Sequence, residues 1–432
     1  VSELDTKPVR RAVAASAMGN CIEWYDFGVF GFMPAVLGAV FFDAATPTEN
    51  VLGTFAVLAV AFVARPFGGF VFGPLGDRIG RQRVLATTIV LMSGSTFAIG
   101  LFPSYQSAGV LTPILVLLAR LVQGFSAGGE YGGAATFIAE YAPDRRRGFL
   151  GSWLEFGSLG GYLLGAGVVT TTTVVLGEAA MADWGWRVPF LIAGPLGLVG
   201  LYLRTRLEDT PLFTELAAEQ KVEASPLKTV LRTQWRPILH LIGYIVLLNI
   251  ADYTVLTYME SHLTNTLGLT GSTPLLVIIA VIVGMMALVG PVGALTDRVG
   301  RKPFLYAACA GFLVLPIPAF TLMDQGSTVA LVFGLALVAL PLTFLLATIP
   351  SVLPAMFPTE VRYGAFAIGY NLSTALFAGT APYIVTKLVD TTGDDLVPAY
   401  YLMGAALIAA IPIHLLPETA GKSLREVKAP VG

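Results

Sequence analysis

Long apolar stretches separated by short polar gaps run through nearly the whole chain. Twelve can be drawn, at roughly 12–42, 50–75, 84–102, 110–140, 148–176, 184–205, 236–263, 272–295, 304–323, 327–357, 362–388 and 396–417. Crossing the hydrocarbon as a helix takes about 20 residues, which each stretch can supply. Backbone amides in lipid must be satisfied within their own segment, and the two-residue alternation of a barrel strand is missing from the sequence. The pattern predicts an all-α membrane protein with twelve transmembrane helices.

The gaps differ in charge. Lys7, Arg10 and Arg11; Arg78, Arg81 and Arg83; Arg145, Arg146 and Arg147; six residues from Arg204 to Arg236; Arg298, Arg301 and Lys302; Arg362; and Lys422, Arg425 and Lys428 occupy every second gap. The gaps between them hold no Lys or Arg. Basic loops stay on the cytoplasmic side, so both termini are predicted to be cytoplasmic. Arg65, Arg120, Arg187 and Lys387 escape the pattern and fall in or at the edge of apolar stretches. An ionised side chain there is expensive and tends to be functional.

Composition agrees, with 55% of residues hydrophobic and 12% charged, far from a soluble average. The net charge of −2 identifies no partner, because charge is sorted by side. Cys21 and Cys309 fall in separate apolar stretches and are expected as free thiols. The stretch 12–42 is too long for a signal peptide and is expected as an uncleaved first helix. The sequence holds no nucleotide-binding loop, metal-ligand cluster or Ser/His/Asp grouping. That argues against an enzyme or an ATP-driven pump, and no cofactor or metal is expected.

An internal repeat divides the chain. Gly73-Pro-Leu-Gly-Asp-Arg-Ile-Gly-Arg-Gln-Arg83 returns as Gly293-Ala-Leu-Thr-Asp-Arg-Val-Gly-Arg-Lys-Pro303. Pro143 and Arg147 match Pro358 and Arg362, and Glu208-Asp-Thr matches Glu418-Thr, all at nearly one offset. The repeat predicts two pseudo-symmetric six-helix bundles, 1–205 and 236–432, joined by a polar cytoplasmic linker at 206–235. Parallel halves of this kind hold a substrate near the bilayer midplane and expose it to alternate sides by rocking.

The paired loop resembles the signature of the major facilitator superfamily. Gly19-Asn-Cys-Ile-Glu-Trp-Tyr-Asp-Phe-Gly28 is similar to the first helix of its metabolite:proton symporter family. Agreement continues in Arg65-Pro-Phe-Gly-Gly, Gln123-Gly-Phe-Ser-Ala-Gly-Gly-Glu-Tyr131, Trp184-Gly-Trp-Arg-Val-Pro-Phe190 and Phe357-Pro-Thr-Glu-Val-Arg-Tyr363. Gly151-Ser-Trp-Leu-Glu-Phe-Gly-Ser158 and Pro354-Ala-Met-Phe-Pro-Thr359 look most like the proline/glycine betaine transporters. The resemblance implies a monomeric, multi-pass protein of the bacterial cytoplasmic membrane, whose partners are a small solute, protons and lipid, with no nucleic acid. It also implies that Gly73, Asp77, Arg78 and Arg81, with the second copy Asp297, Arg298 and Arg301, latch the cytoplasmic side shut. Osmosensing members carry a long cytoplasmic coiled coil, whereas this chain runs only to residue 432, so any osmotic control is expected from elsewhere in the molecule.

Depth arithmetic supplies the candidate site. At 1.5 Å per residue, Glu23 and Asp26 lie about 16–21 Å from the inner end of the first helix, and Arg120 about 18 Å from the same side. The three are level, and Arg120 is the expected partner of both acids. Glu130 is too far along its helix to pair with Arg120, and Glu155 falls at a similar inner depth. Asp26, Glu23, Glu130 and Glu155 are therefore the candidate proton-coupling acids, since carboxylates that share a cavity repel and hold protons near neutral pH. Arg120 is the candidate receptor for a substrate carboxylate. Trp24, Tyr25, Tyr131 and Trp153 are candidate rings for a quaternary ammonium, with Asp252, Tyr370 and Asn371 contributed by the second half. A permanent structural ion pair between the first and fourth helices is the competing reading of Asp26 and Arg120.

These observations lead to an expected proton-coupled symporter of a small carboxylate-bearing solute, with a zwitterion such as proline or glycine betaine in first place. A di- or tricarboxylate such as citrate or 2-oxoglutarate, or shikimate, is the alternative on the same fold. A membrane sensor that transports nothing is the alternative of another class.

Overall fold

A computed structural model gives the architecture and describes residues 6–42, 46–205 and 226–424. Among the described residues there is no strand. The first half comprises α1 (Thr6–Gly31), α2 (Pro34–Phe41), α3 (Pro47–Ile79), α4 (Arg81–Ile99), α5 (Leu111–Ala127), α6 (Glu130–Tyr141), α7 (Arg147–Leu176) and α8 (Arg187–Thr205). The second comprises α9 (Trp235–Asp252), α10 (Thr273–Val299), α11 (Lys302–Val314), α12 (Pro316–Met323), α13 (Thr328–Val352), α14 (Arg362–Ser373), α15 (Ala381–Thr392) and α16 (Val397–Leu415). Nine described helices are long and apolar enough to cross a membrane, or up to eleven if each of two bent pairs is one span. The helix α4 occupies the third expected position.

Several expected rods are broken, for local reasons. The first bends by 70° between α1 and α2, and α11 meets α12 at 51°. Pro34 and Pro316 head the second member of each pair, where proline lacks the N–H that would continue the ladder. The fourth stretch is interrupted at Gly128 and Gly129, between α5 and α6. Beyond α9 the seventh continues in wide π-type turns at Tyr253–Tyr258 and His262–Thr266, a distortion often found where a helix serves a site.

Within the first half α1 lies along α7, α3 along α5 and α4 along α8; in the second, α10 lies along α13 and α9 along α16. The halves meet where α7 runs beside α10 and α3 beside α14. Gly157 and Gly161 let α1 approach α7 closely, because a Cβ at either would overlap the Ala17 or Cys21 carbonyl. The repeated loop is a sharp turn used twice. Gly80 joins α3 to α4 at φ 98°, and Gly300 joins α10 to α11 at φ 103°, a backbone region that side chains disfavour. Linker residues 206–225 lie outside the described residues, and the remainder forms the short helix Pro226–Thr233. Cys21 and Cys309 are free thiols.

Candidate substrate and ion-pair site

One helix, α1, carries two buried carboxylates to two different partners. Asp26 accepts from Thr96 Oγ1 at 2.8 Å, Gln123 Nε2 at 3.0 Å and Arg120 Nη1 at 3.2 Å. All of these groups belong to the first half, and the Arg120 guanidinium lies 3.7 Å from the centre of the Phe30 ring. Glu23 pairs instead with Arg65 of α3, and both are buried. This corrects the expectation that Arg120 serves both acids. Residues three apart share a helix face but point roughly 60° apart around the axis, which is enough for Glu23 to meet α3 while Asp26 meets α4 and α5. Burying such charges is costly unless each is paired and hydrogen-bonded, and both acids have a guanidinium.

Between the halves lies a small cavity. Trp24, Tyr131 and Glu155 line it from the first half; Asn249, Asp252, Tyr253 and Tyr370 line it from the second. The space open to the centre of a water is ≈ 10 Å³, room for about one water. Tyr131 and Tyr370 stack across the division with ring centres 4.2 Å apart. Glu155 accepts from the Tyr131 hydroxyl at 2.5 Å and from Ser158 at 2.9 Å. Aromatic faces with two carboxylates suit the cationic end of a small solute.

The remaining expected site residues lie elsewhere. Glu130 is held by Arg204 and by Thr88 at 2.8 Å, wholly within the first half. Tyr25 donates to the Pro189 carbonyl at 2.6 Å and packs inside the same half. Trp153 is 37% exposed and lines a separate cleft with Arg10, Phe149 and Leu150, so the structure does not bring it to the cavity. Asn371 donates to the Gly128 carbonyl at 2.6 Å, and Tyr363 to that of Gly129 at 2.6 Å. The break between α5 and α6 thus offers two free carbonyls that α14 of the other half takes up. Lys387 is exposed beside Asp390 at 3.5 Å.

At the end bearing the repeated loops the described residues of the two halves touch. The Asp297 carboxylate accepts the Gly148 and Phe149 N–H groups at 2.7 and 2.9 Å, capping α7 from the opposite half. Arg301 lies 3.8 Å from Asp297 and donates to the Ser351 carbonyl and the Thr419 hydroxyl. Arg298 points to the exterior. Gly73 packs against the Gly364 backbone, again across the division. The side chains of Asp77, Arg78 and Arg81 lie outside the described residues.

The Major Facilitator Superfamily model matches residues 18–378 and 243–431. The chain belongs to that superfamily. It is 44% identical over 435 residues to a proline/betaine transporter of Escherichia coli (strain K12), covering 98% of this chain and 87% of that protein. It is 43% identical over 434 residues to the glycine betaine/proline/ectoine/pipecolic acid transporter OusA of Dickeya dadantii, covering 98% and 86%. It is also 41% identical over 438 residues to the ectoine/proline transporter ProP of Corynebacterium glutamicum, covering 98% and 87%. Among solved structures, the proton:xylose symporter XylE bound to 6-bromo-6-deoxy-D-glucose matches with a TM-score of 0.78 at 20% identity, over 98% of this chain and 99% of that one. That likeness establishes the fold.

This superfamily member is a solute transporter, not an enzyme, and a multi-pass protein of the bacterial cytoplasmic membrane. Sequence reasoning passed over Tyr253, Thr96 and Gln123. Tyr253 adjoins Asp252, so the acid in a predicted span pointed to its neighbour. Thr96 and Gln123 are polar residues inside spans, which depth bookkeeping would have placed near Asp26.

Proposed function

We propose that this transporter is a proton-coupled symporter that imports a small zwitterion, such as proline or glycine betaine, by alternating access of two halves, 1–205 and 236–432, tied by 206–235. The observation that carries the reading is the cavity at the division, where Trp24, Tyr131, Tyr253 and Tyr370 surround Glu155 and Asp252. Rings and two carboxylates favour a cationic nitrogen and disfavour a di- or tricarboxylate, whose charge they would repel. The printed names of the relatives, which include proline, betaine and ectoine, support the same class.

The proton is assigned to Asp26. Its three donors, Thr96, Gln123 and the Arg120 guanidinium, all sit in one half, with Arg120 against Phe27 and Phe30. Protonation would release Arg120 and loosen α1 from α4 and α5, and α1 also forms part of the cavity wall through Trp24. Uptake of labelled proline, betaine, citrate and 2-oxoglutarate into proteoliposomes, with and without an imposed pH gradient, tests the reading. Accumulation of a zwitterion driven by inward proton flow is expected. Asp26→Asn should abolish pH-driven accumulation and keep solute exchange; full pH-driven uptake by this variant rules out the assignment.

A further inference from the structure

Buried polar groups in folded proteins are almost always hydrogen-bonded, so a cluster of unused ones marks a place where a partner belongs. Such a cluster stands just behind the cavity wall. Arg65 has Nε and Nη1 unused, Glu23 has Oε2 unused, and the Trp24 Nε1 and Tyr253 hydroxyl groups also lack partners. The guanidinium lies 5.0 Å from the Phe62 ring centre. Phe62 meets Tyr253 edge-on at 5.1 Å, and Tyr253 lies 5.8 Å from Trp24. Phe62 also packs against Gly379 of the second half, so Arg65 sits at the moving division and one ring away from the cavity. Arg120 and Arg204 keep unused nitrogens as well, but the Arg120 guanidinium lies against Phe30 and Arg204 pairs with Glu130, all in the first half, whereas the Phe62 ring beside Arg65 touches the second.

We propose that Arg65 is the receptor for the carboxylate of the transported solute, and that Glu23 occupies its place until the solute arrives. Four of the unused atoms are donors fixed in aromatic and guanidinium frames, which is the complement of a carboxylate. The guanidinium fork binds a carboxylate through two N–H groups and stays charged when one carboxylate replaces another. Solute entry then exchanges Glu23 for the substrate on Arg65, while the cationic end lies among Tyr131, Tyr370, Glu155 and Asp252. The inference rests on the zwitterion reading for the cationic end only; the carboxylate half stands for any carboxylate solute.

Equilibrium binding to the purified full chain tests it, with glycine betaine, choline, proline, citrate and 2-oxoglutarate as probes. Betaine and choline share the trimethylammonium group and differ in the carboxylate. The wild type should prefer betaine to choline, and Arg65→Gln should erase that preference. Glu23→Gln, which removes the competitor, should tighten carboxylate binding by about tenfold or more. A purely structural ion pair predicts lower thermal stability and no gain in affinity. Unchanged betaine affinity in folded Glu23→Gln, together with a preserved betaine/choline ratio in Arg65→Gln, overturns the proposal. If citrate or 2-oxoglutarate binds instead of a zwitterion and tightens in Glu23→Gln, the zwitterion reading fails and the Arg65 assignment stands. If the wild type binds no carboxylate, both fall.

Discussion

Replacing Asp297 by alanine removes a helix cap that one half supplies to the other. Its carboxylate accepts the N–H groups of Gly148 and Phe149, in the first turn of α7. Capping of this kind is worth about 1 kcal/mol, and a negative charge at a helix N-terminus adds up to about another. Both contributions exist only while the halves are closed at this end, so their loss should favour opening by about 2 kcal/mol, or roughly 30-fold. A basal opening of about one molecule in a hundred would become about one in four. Spin labels at exposed positions 145 and 298, one on each half, report the change by pulsed electron resonance once Cys21 and Cys309 are replaced by serine. Asp297→Ala should enlarge the long-distance population in that proportion. An unchanged distance distribution would refute the claim that this cap holds the end shut.

Two other perturbations have clear signs. Gly161→Val should separate α1 from α7, since a Cβ at 161 would overlap the Cys21 carbonyl and crowd the Tyr25 amide; overpacking of this sort costs about 1–3 kcal/mol, measurable as a lower melting temperature in detergent, and unaltered melting would contradict it. Glu418 accepts from the backbone of Arg301, Lys302, Thr419 and Ala420; burial pushes its carboxyl up, and these four donors outweigh it and hold the group below its ordinary 4.5. The stabilisation is therefore fully present above the ordinary carboxylate value and lost as pH falls below it through the lowered value of the folded protein. Glu418→Gln should melt lower than wild type at neutral pH, and the two should converge on acidification; a constant gap at all pH values would exclude this role.

The helices, their order and the duplicated turn were legible in the sequence because hydrophobic length and glycine placement determine them locally. Gly80 and Gly300 illustrate this, for the same unusual φ is needed at both. The acids on α1 were legible too, because a carboxylate in an apolar stretch stands out. Which arginine meets which acid was not. Depth along an axis says nothing of direction around it, so Glu23 and Asp26 looked equivalent until α3, α4 and α5 were placed. Trp153 misled for a similar reason: ring chemistry gave no azimuth, and its helix turns it away from the cavity. The breaks at Gly128 and beyond Asp252 escaped because hydropathy continues through them.

On the proposed function, two charged stations a single helical turn apart on α1 give the molecule a division of labour. Neighbours of Asp26 come from one bundle, whereas the cavity wall is assembled from both. Under the proposed function, amino-acid changes at Tyr253, Tyr370 or Asn249 would reshape what is carried while the Asp26 cluster keeps its own neighbours, so new cargo preferences would arise without redesigning the part proposed to couple to the energy source.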